Sequence, residues 1–290
     1  MKQEDGMKTE NTKMGVPLIL TVYIICFVFR GLEYLVLKTD RGVFGEAFLH
    51  KLVGISILFF TLRYLSISWK EIGFTKEKPW RFLAYGLLLG IVVFLPAYGA
   101  EFIMQYISGN IPKLEWYVTS YSIQGNVGNQ TAFIFYILCI VGNIINVVME
   151  EGVFRGLFMK ISEKKFSFLW ATIFTSFLFG IWHIAAPLRS FLEGQMAVFP
   201  ACMAMLSLTL MSGLMGAKLC MLTKIFGNLW VPMADHFVNN TIVNVLHVST
   251  ASGADQMQVM RIAIAQSLSF FIVLFWYWKT KAGQKDTFRE

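Results

Sequence analysis

Charge is what this sequence lacks most. Only 15% of its 290 residues are Asp, Glu, Lys or Arg, whereas 56% are hydrophobic. A soluble domain averages about 25% charged residues, because its surface has to be solvated. So little charge excludes an ordinary soluble enzyme of this length and points to a polytopic membrane protein. Cysteine is scarce too. Cys26, Cys139, Cys202 and Cys220 all lie inside apolar runs with no CxxC pair. That excludes a disulfide framework and a cysteine zinc site, and leaves reduced, buried packing residues. No phosphate loop, dinucleotide fingerprint or HExxH occurs anywhere in the chain, so those motif-borne chemistries drop out. The net charge is +7, but no basic stretch interleaved with aromatics accompanies it. No nucleic-acid partner is expected, and the excess reads as the positive charge that membrane proteins gather in cytoplasmic loops.

What is present is a series of long apolar runs. A helix needs about 20 apolar residues to cross the hydrocarbon core. Runs of that kind fall near 16–37, 43–65, 81–107, 131–149, 166–186, 196–217, 226–247 and 261–278. The expected fold class is all-α, a polytopic membrane helix bundle of about eight transmembrane helices. Its domains are an N-terminal tail at 1–15, a transmembrane domain at 16–278 and a C-terminal tail at 279–290. The first tail is polar and of mixed sign, and no small-residue cleavage pattern follows the first run, which is therefore expected to remain a membrane helix.

Orientation follows from the basic residues. Those of both tails, of the stretch 63–81, of Lys160, Lys164 and Lys165, and Lys218 with Lys224 fall on one side. Fewer fall on the other. The bias places both termini in the cytoplasm, with the protein integral to the cell membrane. The outer connection 108–130 is poor in charge and holds Trp116, Tyr117 and Tyr121, which suits a plain loop resting on headgroups. Spaced glycines, Gly86 with Gly90 and Gly152 with Gly156, suit close helix packing.

Polar groups inside these runs are expensive, about 2.5–3.5 kcal/mol for a charge at the bilayer centre, and so often mark function. Three clusters stand out. The stretch VVMEEGVFRG at 147–156 carries Glu150, Glu151 and Arg155. On a continuing helix Glu151 and Arg155 share one face, while Glu150 points about 100° away. The stretch FGIWH places Phe179 and His183 one turn apart. HFVNN places His236 and Asn240 four apart, with Asp235, Asn239 and Asn244 nearby. Each cluster alone reads equally as an ordinary ion pair, a satisfied core histidine or interhelical hydrogen bonding.

Together they make a kit for hydrolysis. A glutamate can take a proton from water, a histidine can assist it, and a second histidine with an asparagine amide can stabilise an oxyanion. The same Glu150, His183 and His236 also form a zinc set with one position left for water. Spacing alone does not separate the two chemistries.

EEGVFRG, FLFGIWH and HFVNN, in this order, resemble the CPBP family, the intramembrane CAAX-processing proteases and bacteriocin-processing or immunity proteins also called Abi. The resemblance covers roughly 131–247, where the stretch GLMGAKLCMLTKIFGNLWVPMADHFVNN is similar as well. It implies that this segment is the catalytic core of an intramembrane cavity. It further implies that Glu150, with His183, activates water, that His236 and Asn240 form the oxyanion hole, and that Glu151 and Arg155 support the site. A carboxylate held away from bulk water is a stronger base than a solvated one.

The expected function is an intramembrane endopeptidase acting on a membrane-associated peptide or protein, lipidated CAAX-type or a leader-type substrate. The alternative is a bacteriocin self-immunity protein acting by binding, with or without proteolysis. A transporter in which Glu150, His183 and His236 relay protons would need paired broken helices or an inverted repeat, and the sequence has neither.

Overall fold

The structure is a computed structural model that describes residues 15–41, 46–119 and 130–286. Most of the N-terminal tail, Tyr121 and Arg289 lie outside the described residues. The first apolar run forms α1 (Gly15–Leu32), whose end widens into a π turn at Glu33–Leu37. Then follow α2 (Leu49–Tyr64) and α3 (Pro79–Ile107). Proline opens α3, where its missing N–H is no loss. Next come β1 (Lys113–Trp116) and α4 (Phe133–Glu150). The latter runs on through a π segment, Glu151–Phe158, and a last α turn, Met159–Ser162.

The second half holds α5 (Phe168–Trp182), α6 (Ala185–Leu192) and α7 (Val198–Phe226). Gly227, at φ +65°, ends α7 in the left-handed region and returns its N–H to Thr223 O at 2.8 Å. Asn228 Oδ1 then accepts from Trp230 N at 3.0 Å, an Asx turn that leads into α8 (Trp230–Val245). After β2 (Leu246–Thr250) and β3 (Gly253–Ala254), α9 (Gln258–Asp286) completes the chain.

Among the described residues six spans are long and apolar enough to cross a membrane: Gly15–Leu37, Pro79–Ile107, Phe133–Ser162, Phe168–Leu192, Val198–Phe226 and Gln258–Lys281. Their outward faces are apolar, with Leu95, Leu169, Leu210 and Phe275 among the exposed side chains, as lipid contact requires. The chain is therefore an integral membrane protein with a polytopic helical fold. The two other expected spans are helical but short. α2 and α8 have 16 residues each, about 24 Å at 1.5 Å per residue, below the ~20 residues a span needs. Both bury polar side chains inside the bundle, His50 and Lys51 on α2, Asp235 and His236 on α8, although α2 also turns Leu52, Phe59 and Phe60 outward.

Helix α8 is held tightly by α3. A Cβ on Gly86 would stand 2.2 Å from Val231 O, and one on Gly90 would stand 2.7 Å from Val238 Cβ, so only glycine admits this approach. The main core joins α1, α2, the π segment and α5 around Tyr23, Phe154, Phe158, Phe179 and Trp182.

Three expectations are corrected. The connection after α3 is not a plain loop: β1 pairs antiparallel with β2, Leu114 opposite Val248, and β3 extends the sheet. Tyr117 is buried and stacks on His247, ring centroids 3.9 Å apart. Burying that ring and pairing the strand outweigh leaving both on headgroups. Lys218 is not in a loop. It lies inside α7, fully buried, because Asp235 Oδ2 at 2.5 Å neutralises it. Cys26, Cys139 and Cys220 are buried, but Cys202 is exposed on the outer face of α7, where lipid solvates a thiol as readily as protein does.

Candidate active site

Glu150 closes α4, where the helix widens into its π segment, a local form often found at functional positions. It is 2% exposed. Its two oxygens have different surroundings. Oε1 accepts from Trp182 Nε1 at 2.8 Å and stands 3.8 Å from Arg30 Nη1. Oε2 has no hydrogen-bond partner among the described residues and lies 3.6 Å from His236 Nε2. The glutamate is thus not a bare charge in hydrocarbon. One oxygen is fixed by a donor and faces a cation, and the other makes no hydrogen bond among the described residues.

Glu151 turns the other way. Its Oε1 is 2.8 Å from His236 Nδ1, and its Oε2 is 3.3 Å from Arg155 Nε. Arg155 in turn lies over the Phe179 ring at 3.9 Å. His236 on α8 therefore stands between two consecutive glutamates, one on each nitrogen. A carboxylate can only accept, so the Nδ1 proton points to Glu151, and the neutral ring leaves a lone pair on Nε2. His183, capping α5, holds Phe179 O with Nδ1 at 2.8 Å. A carbonyl also only accepts, so its Nε2 is again a bare acceptor in the neutral ring.

Asn240 is oriented by a chain of amides. Lys218 Nζ donates to Gln266 Oε1 at 2.9 Å, Gln266 Nε2 to Asn239 Oδ1 at 2.8 Å, and Asn239 Nδ2 to Asn240 Oδ1 at 3.2 Å. An ammonium has no acceptor, so it fixes the direction of every later bond. The chain ends with the Asn240 Nδ2 protons free to donate.

Glu150, His183, His236 and Asn240 line one cavity of about 240 Å³. Glu151 and Arg155 do not; they stand behind it. Sequence reasoning passed over a further set from the N-terminal helices. His50 Nδ1 is 2.6 Å from Glu33 Oε2, and His50 Nε2 is 3.1 Å from Arg30 Nη1. Arg30 can only donate, so Nε2 accepts and Nδ1–H donates to Glu33. This chain ends at Glu150. Lys51, paired with Glu46 at 2.6 Å, also lines the cavity. The signal was in the sequence: Arg30 and Glu33 interrupt the first apolar run, and His50 and Lys51 the second.

Among the described residues no group of three or more His, Cys, Asp or Glu is disposed to hold a metal ion. Glu150, His183 and His236 as placed do not form the expected zinc set.

A comparison with the curated proteins finds no match. Residues 132–242 match the family model of the Rce1-like type II CAAX prenyl endopeptidases. The matched segment contains Glu150, Glu151, Arg155, His183, His236 and Asn240, and the chain thus carries, over those residues, a domain of the CPBP/CAAX protease family.

Proposed function

We propose that the protein is an intramembrane endopeptidase in which Glu150 activates water without a metal, and that residues 131–247 are its catalytic core. The observation that carries this reading is the asymmetry of Glu150: Oε1 fixed by Trp182, Oε2 unpartnered and turned toward His236 beside the cavity. Water gives a proton to Oε2 as its oxygen attacks the scissile carbonyl carbon. The carbonyl electrons move to oxygen, and Asn240 Nδ2 donates to the oxyanion. His183 Nε2 accepts from the water and orients it. His236 joins the oxyanion hole as an imidazolium, with Nδ1–H on Glu151 and Nε2–H toward the oxyanion; it takes that second proton from solvent before the step and keeps it throughout. Collapse of the intermediate breaks the C–N bond, and Glu150 returns its proton to the departing amine.

The substrate is a membrane-associated peptide or protein, and the family match favours a prenylated C-terminal segment. The basic residues at one end of the spans support cytoplasmic termini and a cell-membrane location. The test uses the purified full chain and Glu150→Ala in detergent, with a quenched peptide library that includes a farnesylated member, with and without chelator. Cleavage by the wild type alone, unchanged by chelator, is expected. Equal cleavage by the variant removes Glu150 from the mechanism; none by either overturns the reading and returns weight to immunity by binding; cleavage lost only with chelator overturns the metal-free mechanism.

A further inference from the structure

A second cavity of about 180 Å³ opens at the end of the bundle where the Phe133–Ser162 span finishes, α5 begins and α7 ends. That is ample room, since roughly 10–15 Å³ of such space admits one water. Its lining is basic for a chain so poor in charge. Lys70, Arg155, Lys160 and Lys224 face Glu71 and Glu163. Three of these charges are engaged locally: Lys224 pairs with Glu163 at 2.8 Å, and Glu71 accepts from Ser68 N and Oγ, both at 2.8 Å. Lys70 and Lys160 have no ion pair among the described residues.

Arg155 is the unusual member. It is 3% exposed, yet neither Nη1 nor Nη2 has a hydrogen-bond partner among the described residues. Glu151 meets only its Nε, at 3.3 Å. A buried guanidinium with two idle nitrogens is costly unless something accepts from it. Bidentate acceptance by a phosphate is the geometry a guanidinium fork fits.

We propose that this cavity is a binding site for a phosphate-type anion, held by Arg155 at its buried wall and by Lys70 and Lys160 toward solvent. Its position at the ends of three spans puts it at headgroup depth, so the anion is either the phosphate of an acidic lipid or free phosphate. Through Arg155 and Glu151 the site touches His236, which links occupancy to the catalytic cavity. The binding itself does not depend on proteolysis.

The experiment uses the purified full chain in neutral detergent. Native mass spectrometry reads binding of short-chain phosphatidylglycerol against phosphatidylcholine, and a thermal-shift arm compares inorganic phosphate with chloride at equal ionic strength. The variants are Lys70→Gln/Lys160→Gln, and Lys164→Gln as a lysine of the same end that does not line the cavity. Expected is binding of phosphatidylglycerol, phosphate or both by the wild type, weakened about tenfold in the double variant and unchanged in Lys164→Gln. A response to phosphatidylglycerol alone identifies a lipid headgroup, and a response to inorganic phosphate identifies the free anion as a ligand. No binding of either anion, or equal weakening by Lys164→Gln, overturns the proposal.

Discussion

Arg30 Nη1 lies 3.8 Å from Glu150 Oε1, across the boundary between the N-terminal helices and the family-matched segment. The same Nη1 is 3.1 Å from His50 Nε2, and His50 is anchored on Glu33. A guanidinium so held cannot swing away from the glutamate. Arg30→Gln keeps a donor, on a shorter side chain, but removes the charge. We expect kcat to fall by about tenfold to a hundredfold, ~1.4–2.7 kcal/mol, with KM little changed. Glu33→Gln should give a smaller fall of the same kind. Steady-state kinetics on one fluorogenic peptide checks both, and full activity in Arg30→Gln would remove it from the site.

Trp182 makes a separate contribution, because its indole can only donate and Glu150 Oε1 is its acceptor at 2.8 Å. Trp182→Phe retains most of the packing against Tyr23 and Phe154 but loses that bond. The expected result is a fall in kcat of about tenfold with a fold stability lowered by ~1 kcal/mol. A thermal melt beside the kinetics separates the two effects.

At the far end of the bundle, Asp255 supplies a pH prediction. Burial works to raise its carboxyl, but hydrogen bonds from His247 and Arg261 outweigh it and hold the group below the ordinary Asp range. A depressed carboxylate contributes stability that is present above its unfolded value, about 3.9. That stability is lost as the pH falls through the lower folded value. Asp255→Asn should therefore melt lower than wild type at pH 7, and the gap should close as the pH drops below about 4. Paired melts across that range decide it; a gap that widens in acid contradicts the assignment.

Much of this was legible in the sequence, and for identifiable reasons. Apolar runs of span length gave away the long helices, and charges inside them gave away Glu150, Glu151 and Arg155. Partners far apart in the chain were not legible. Nothing local ties Arg30 or His50 to Glu150, a hundred positions or more later, nor Lys218 to Gln266. β1 was hidden because strand pairing is a long-range choice: Lys113 to Trp116 become a strand only beside Leu246 to Thr250. The π segment was invisible too, since Glu151 and Arg155 pair at the same i, i+4 spacing in an α-helix.

Gln266 tests whether the amide chain matters. It sits on α9, outside the matched segment, lines the cavity and donates to Asn239. Gln266→Leu removes the donor that fixes Asn239, so Asn239 can flip and Asn240 can turn its oxygen into the cavity. The expected loss is about tenfold in kcat, and in Asn240→Ala the same substitution should cost nearly nothing more, because the group it orients is gone. Lys218→Met should behave differently. It strands Asp235 as an unpaired buried charge, at ~3–5 kcal/mol, and the protein should lose stability before it loses chemistry. Additive losses from Gln266→Leu and Asn240→Ala would mean that Gln266 acts elsewhere.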